Sequence, residues 1–121
     1  MWRMLETGID IIEIDRIERV MARHGRRFLD RVFTAVEVEQ SRGKAESLAA
    51  RFAAKEAAFK ALGRRMGWRE VEIRRETTGK PRLLLYGRAR AMADRLGAER
   101  WSVSLSHSRR YAVAVVLVVS A

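Results

Sequence analysis

The chain has 121 residues, and its 25 Lys and Arg against 15 Asp and Glu give a formal charge of +10 and a pI of about 11.3. That length predicts one domain over residues 1–121, and 48% hydrophobic with 33% charged residues excludes a disordered or fibrous chain. The lack of cysteine excludes disulfides and thiolate metal sites. Acids by Glu6 leave no room for the apolar stretch of a signal peptide, and the longest apolar run, Tyr111 to Val119, falls short of the ~20 residues of a spanning helix. A cytoplasmic protein is expected. Its charge admits three kinds of partner: nucleic acid, an anionic membrane, or an acidic or phosphorylated molecule.

In chain order, residues 5–14 are predicted as a first strand, inside which "GIDIIEIDRI" sets acids among isoleucines. Side chains alternate along a strand, so Asp10 shares the face of Ile12 and Ile14. An acid there needs either a structural partner or a ligand. Asp15 is expected to cap a basic helix running to Gly25, "RRFLDRVF" continues helically, and Thr34 with Glu37 has the form of a capping box. A longer helix is predicted from about Ala45 to Leu62, stopped by Gly63. "EVEIRRE" alternates as a strand, "TTGKP" is a turn, "RLLLY" a strand and "GRARAMADRLG" a short helix. "RWSVSLSHS" and "YAVAVVLVV" pair as a hairpin across Arg109 and Arg110. The pattern is α+β with a mainly antiparallel sheet packed around the long helix.

That helix, "LAARFAAKEAAFKALG", has Leu48, Phe52, Phe59 and Leu62 on one side and mostly alanine on the other. Without a polar face it should be enclosed, yet it carries Arg51, Lys55, Glu56 and Lys60. Glu56 and Lys60 stand at i, i+4, so an ordinary helical ion pair is one reading. The other is that Glu56 meets Asp10, with a cation between two carboxylates that would otherwise repel. Oxygen donors without His or Cys suit Mg²⁺, which takes phosphate oxygens into its shell.

Three motifs, in order, resemble the holo-[acyl-carrier-protein] synthases, small 4′-phosphopantetheinyl transferases: "GIDIIEIDRI", "RFAAKEAAFKALG" and "SLSHS", with "GKP" before the last. The likeness runs from about residue 6 to 119. It implies the 4′-phosphopantetheinyl transferase fold and transfer of 4′-phosphopantetheine from coenzyme A to a serine of apo acyl carrier protein, in fatty-acid biosynthesis. The by-product would be adenosine 3′,5′-bisphosphate. By motif position, Asp10 and Glu56 would be Mg²⁺ ligands and Lys60 would face the pyrophosphate. Ser106, His107 and Ser108 would lie near the nucleotide, with Arg51 and Lys80 as further phosphate or nucleotide contacts. The serine proton would pass to Glu56 or to a metal-bound water. The family also implies a homotrimer with active sites between subunits. One departure is the loop after "KALG", only Arg64 to Gly67 here and longer and Gly-rich in many relatives.

Residues 16–31 carry six arginines, and the resemblance makes them a docking surface for an acidic carrier protein. Arg16, Arg23 and Arg27 are the expected contacts, with Met21 and Phe28 adding apolar area. His24 is expected at a helix end, and Trp68 and Trp101 in packing. The rival function is a small basic nucleic-acid-binding protein, supported by charge alone; no basic-aromatic cluster or phosphate-cradling loop accompanies it.

Overall fold

Helix α4 (Ala45–Leu62) is the axis of the molecule, described in a computed structural model over residues 3–120. Small alanines let other elements approach it closely on several sides, and twelve of its eighteen residues are buried. Strands β1 (Met4–Glu13), β5 (Tyr111–Ser120) and β4 (Arg100–His107) form an antiparallel sheet of order β1-β5-β4 against it. Ala112, Ala114, Val116 and Val118 alternate inward along β5. Gly8 lies so close to α4 that a β-carbon would overlap the Ala57 carbonyl. Only glycine permits that approach, and it fixes where Asp10, two residues on, meets the helix. The register of β1 on β5 runs from Met4 opposite Ser120 to Glu13 opposite Tyr111.

Strand β1 passes directly into helix α1 (Ile14–His24). The expected cap at Asp15 is not formed. The N-cap is Glu13, two residues earlier, and the Ile14 N–H donates to the Arg110 carbonyl at 2.8 Å, so a backbone oxygen replaces a capping side chain. Asp15 instead pairs with Arg19 at 2.6 Å. Gly25, at φ 53°, ends α1 where the sequence places its stop, and helix α2 (Arg26–Val32) takes up the helical stretch expected after it.

Helix α3 (Ala35–Ser41) has the predicted capping box of Thr34 and Glu37. A 3-10 turn at Trp68–Glu70 leads into the antiparallel hairpin of β2 (Val71–Arg75) and β3 (Pro81–Leu85), followed by helix α5 (Gly87–Leu96). Trp101 donates its indole N–H to the Leu83 carbonyl at 2.9 Å, fastening the hairpin to the larger sheet where β3 runs beside β4. The predicted α+β architecture is thus realised with two antiparallel sheets, and the β4–β5 hairpin turns across Arg109 and Arg110 as expected.

Candidate active site

Of the acids singled out in the sequence, Asp10 lies on β1 and Glu56 on α4, the helix against which β1 packs. Asp10 lies on the inward face of β1 with Gly8 and Ile12, and its side chain is 20% exposed. Lys60, one turn beyond Glu56, reaches it: the ammonium donates to Asp10 Oδ1 at 3.3 Å and to the Ile9 carbonyl at 2.8 Å. Glu56, also 20% exposed, does not pair with Lys60. It accepts from Arg65 Nη2 at 2.7 Å. Arg65 comes from the short Arg64–Gly67 loop and packs over the Trp68 ring, 5.0 Å from its centroid, and Trp68 stacks on Phe52 at 4.8 Å. The expected i, i+4 pair is therefore split, each member taking a partner from elsewhere.

Among the described residues no group of three or more His, Cys, Asp or Glu is placed to hold a metal. The Asp10 Oδ2 and Glu56 Oε2 atoms accept no hydrogen bond there. Two partly exposed carboxylates with free oxygens and no nitrogen or sulfur donor fit Mg²⁺, which keeps several shell positions for water and phosphate.

A quarter-turn away on α4, the charges are closed off. Lys55 and Glu37 are each fully buried and paired at 2.8 Å. Lys55 also donates to the Trp68 carbonyl at 2.9 Å and to the Val71 carbonyl. Glu37 accepts from the Ile73 N–H at 2.9 Å and from the Thr34 N–H at 2.9 Å. Burial pushes the Lys55 ammonium below its ordinary pKa, and the Glu37 carboxylate opposes that shift. Beside it, Glu72 accepts from Thr34 at 2.6 Å, Tyr86 at 3.1 Å and Arg74 at 2.9 Å. Burial pushes the Glu72 carboxyl up, but these three donors together hold it below the usual carboxylate range. Sequence reasoning did not join Lys55 to Glu37. The available signal was two cations, Arg51 and Lys55, one turn apart on a helix with no polar face.

A cavity of about 470 Å³ opens where the end of α3, the start of α4, the β2–β3 hairpin and the end of β4 converge. Arg42, Lys44, Ser47, Arg51, Ser106 and His107 line it. Arg51 is buried and donates to the Ile73 carbonyl at 3.3 Å, to Gln40 Oε1 at 3.2 Å and to Ser47 Oγ, so its guanidinium braces α4 against β2 at the cavity wall. Burial, reinforced by the charge of Arg75, lowers its pKa, and Glu37 partly offsets this. His107 is exposed, with Nδ1 3.4 Å from the Ser108 carbonyl oxygen. Ser108 turns its hydroxyl to the Arg110 and Tyr111 N–H groups at 3.4 and 3.3 Å and shapes the turn. Lys80 is exposed between Gly79 and Pro81, which line the cavity.

Arg51 and Glu56 are five residues apart on one helix, about 140° around its axis. The cavity and the carboxylates therefore occupy opposite sides of α4 within one chain. Arg16 and Arg23 on α1 and Arg27 on α2 are all exposed, as is His24, with Met21 and Phe28 half-buried beside them. Among the described residues no helix is long and apolar enough to cross a membrane.

Known proteins carry the same arrangement of elements. Residues 6–116 match the family model of the 4′-phosphopantetheinyl transferase superfamily. The chain is 54% identical to the holo-[acyl-carrier-protein] synthase of Moorella thermoacetica, over 97% of this chain and 95% of that one. Its identity to the synthase of Herpetosiphon aurantiacus is 50%, covering 94% and 98%. Among solved structures, that of the Helicobacter pylori holo-[acyl-carrier-protein] synthase in complex with coenzyme A superposes with a TM-score of 0.84, at 33% identity over 94% of this chain and 99% of that one. The chain belongs to the 4′-phosphopantetheinyl transferase superfamily, among the holo-[acyl-carrier-protein] synthases.

Proposed function

We propose that this chain transfers 4′-phosphopantetheine from coenzyme A to a serine hydroxyl of an apo acyl carrier protein, releasing adenosine 3′,5′-bisphosphate and readying the carrier for fatty-acid synthesis in the cytoplasm. The observation that carries the reading is the partly exposed acids Asp10 on β1 and Glu56 on α4, with Lys60 on Asp10, in a chain of this family. Asp10 and Glu56 hold Mg²⁺, which when bound neutralises charge on the phosphoryl oxygens. Lys60 orients the diphosphate and stabilises charge that develops on the leaving phosphate. Glu56, or a water beside it, receives the serine proton.

The cations and hydroxyls of the cavity, with Lys80 at its rim, bind the nucleotide end of coenzyme A. Because the cavity and the acids lie on opposite sides of α4, one coenzyme A molecule engages the cavity of one subunit and the acids of its neighbour. The outward face of β1 and β5 supports such a homotrimer: Leu5, Ile9, Ile11, Val115 and Leu117 are each between 38% and 63% exposed, an apolar area that suits burial between subunits. The exposed arginines of α1 and α2 receive the acidic carrier.

The test is intact mass spectrometry of apo carrier protein incubated with the chain. A gain of one phosphopantetheine is expected with coenzyme A and Mg²⁺ and not when either is left out. An unchanged mass across several apo carriers would refute the assignment. The nucleic-acid alternative predicts instead a salt-sensitive affinity for DNA or RNA that Asp10→Ala leaves intact.

A further inference from the structure

The two carboxylates of the candidate metal site are already neutralised from within. Lys60 holds Asp10 at 3.3 Å, and Arg65 holds Glu56 at 2.7 Å. Two negative and two positive side chains cancel, so adding a dication to this site alone leaves it with two uncompensated positive charges. The diphosphate of coenzyme A brings two negative charges and restores the balance. Arg65 is well placed to change partners: its side chain is 64% exposed, it sits on a loop only four residues long, and the Trp68 ring supports its guanidinium plane. The same fork that grips a carboxylate grips a phosphate oxygen.

We propose that Arg65 is a built-in counter-ion that competes with the metal for Glu56, and so makes binding of Mg²⁺ and coenzyme A mutually dependent. In the free chain Arg65 occupies Glu56 and weakens metal binding. When the diphosphate arrives, Arg65 turns to it and frees Glu56. By linkage the factor by which coenzyme A tightens the metal equals the factor by which the metal tightens coenzyme A. Arg65 is thus a positioning residue that acts through Glu56. The inference rests on Asp10 and Glu56 being the metal ligands.

Mn²⁺ binding, followed by electron paramagnetic resonance of the free ion without carrier protein, separates the two claims. Arg65→Gln should bind Mn²⁺ about threefold to tenfold more tightly than the wild type in the absence of coenzyme A. The enhancement of Mn²⁺ affinity by coenzyme A should shrink by a similar factor. Arg65→Lys, which keeps the charge, should stay near the wild type. Substrate-free Mn²⁺ affinity of Arg65→Gln equal to or weaker than wild type would overturn the proposal while leaving the metal site standing, provided Glu56→Gln loses the ion. Wild-type Mn²⁺ binding by Glu56→Gln would remove both the metal reading and the counter-ion built on it.

Discussion

Helix α4 carries two charged clusters that differ in how completely they are satisfied. Lys55 and Glu37 are fully buried, and backbone groups of the Trp68–Ile73 segment complete their hydrogen bonds. Asp10 and Glu56 are each bound through one oxygen by an exposed cation, with the other oxygen open. The first arrangement leaves no capacity for a ligand, so its energy goes into holding α3, α4 and β2 together. The second has spare acceptors and solvent-exposed cations, which suit the metal and diphosphate proposed for it. Buried charge holds elements together here, and the proposed chemistry is assigned to partly exposed charge.

The contrast can be broken most forcefully at its closed end. Lys55→Met leaves Glu37 charged and unpaired in the core and should cost about 3–5 kcal/mol in urea unfolding. Adding Glu37→Gln should restore part of that loss, and a single-variant cost under ~1 kcal/mol would mean the cluster is not closed. At the open end, Asp10→Asn and Glu56→Gln should lower kcat/KM at least about 100-fold. Their urea unfolding should stay within ~1 kcal/mol of wild type, because half-exposed pairs contribute little. Loss of folding instead of activity would place these acids with Lys55. Farther from the chemistry, Arg16→Glu with Arg23→Glu should raise the KM for carrier protein about tenfold and leave that for coenzyme A unchanged. Equal changes in both would remove the docking surface.

The smallest effect concerns pH. Glu72 has a folded-state pKa below its ordinary value, the outcome of burial being outweighed by Thr34, Tyr86 and Arg74. Its contribution is present above the unfolded carboxylate pKa of about 4.3 and is lost as pH falls through the lower folded value. Unfolding free energy measured between about pH 5 and pH 3 should therefore fall more steeply in wild type than in Glu72→Gln. Parallel curves would show that Glu72 gains nothing from its three donors.

Much of this was legible in the chain because it rests on local patterns. The period of α4, the alternation of β1 and β5 and the capping box at Thr34 each depend on residues a few positions apart. Asp10 stood out because an acid on an inward strand face is expensive, and Glu56 because its helix lacked a polar face. What escaped depends on contacts far apart in sequence. Glu37 was already explained by its cap at Thr34, so nothing in the chain pointed its second oxygen toward Ile73 and Lys55. Arg65 looked like one more arginine in a basic protein until the loop brought it over Trp68 and onto Glu56. The cap at Asp15 failed because the Arg110 carbonyl, almost a hundred residues away, does the same work.

The pairing of β1 with β5 has a consequence for how the molecule comes into being. Asp10 emerges about a hundred residues before the strand that fixes its place, from Tyr111 to Ser120. At ~5–20 residues per second, β1 waits on the order of ten seconds during synthesis for its partner. Closing so long a loop is a non-local step that costs more chain entropy than a local contact. Until β5 has emerged, the nascent chain cannot assemble Asp10 and its neighbours on β1 against a completed sheet.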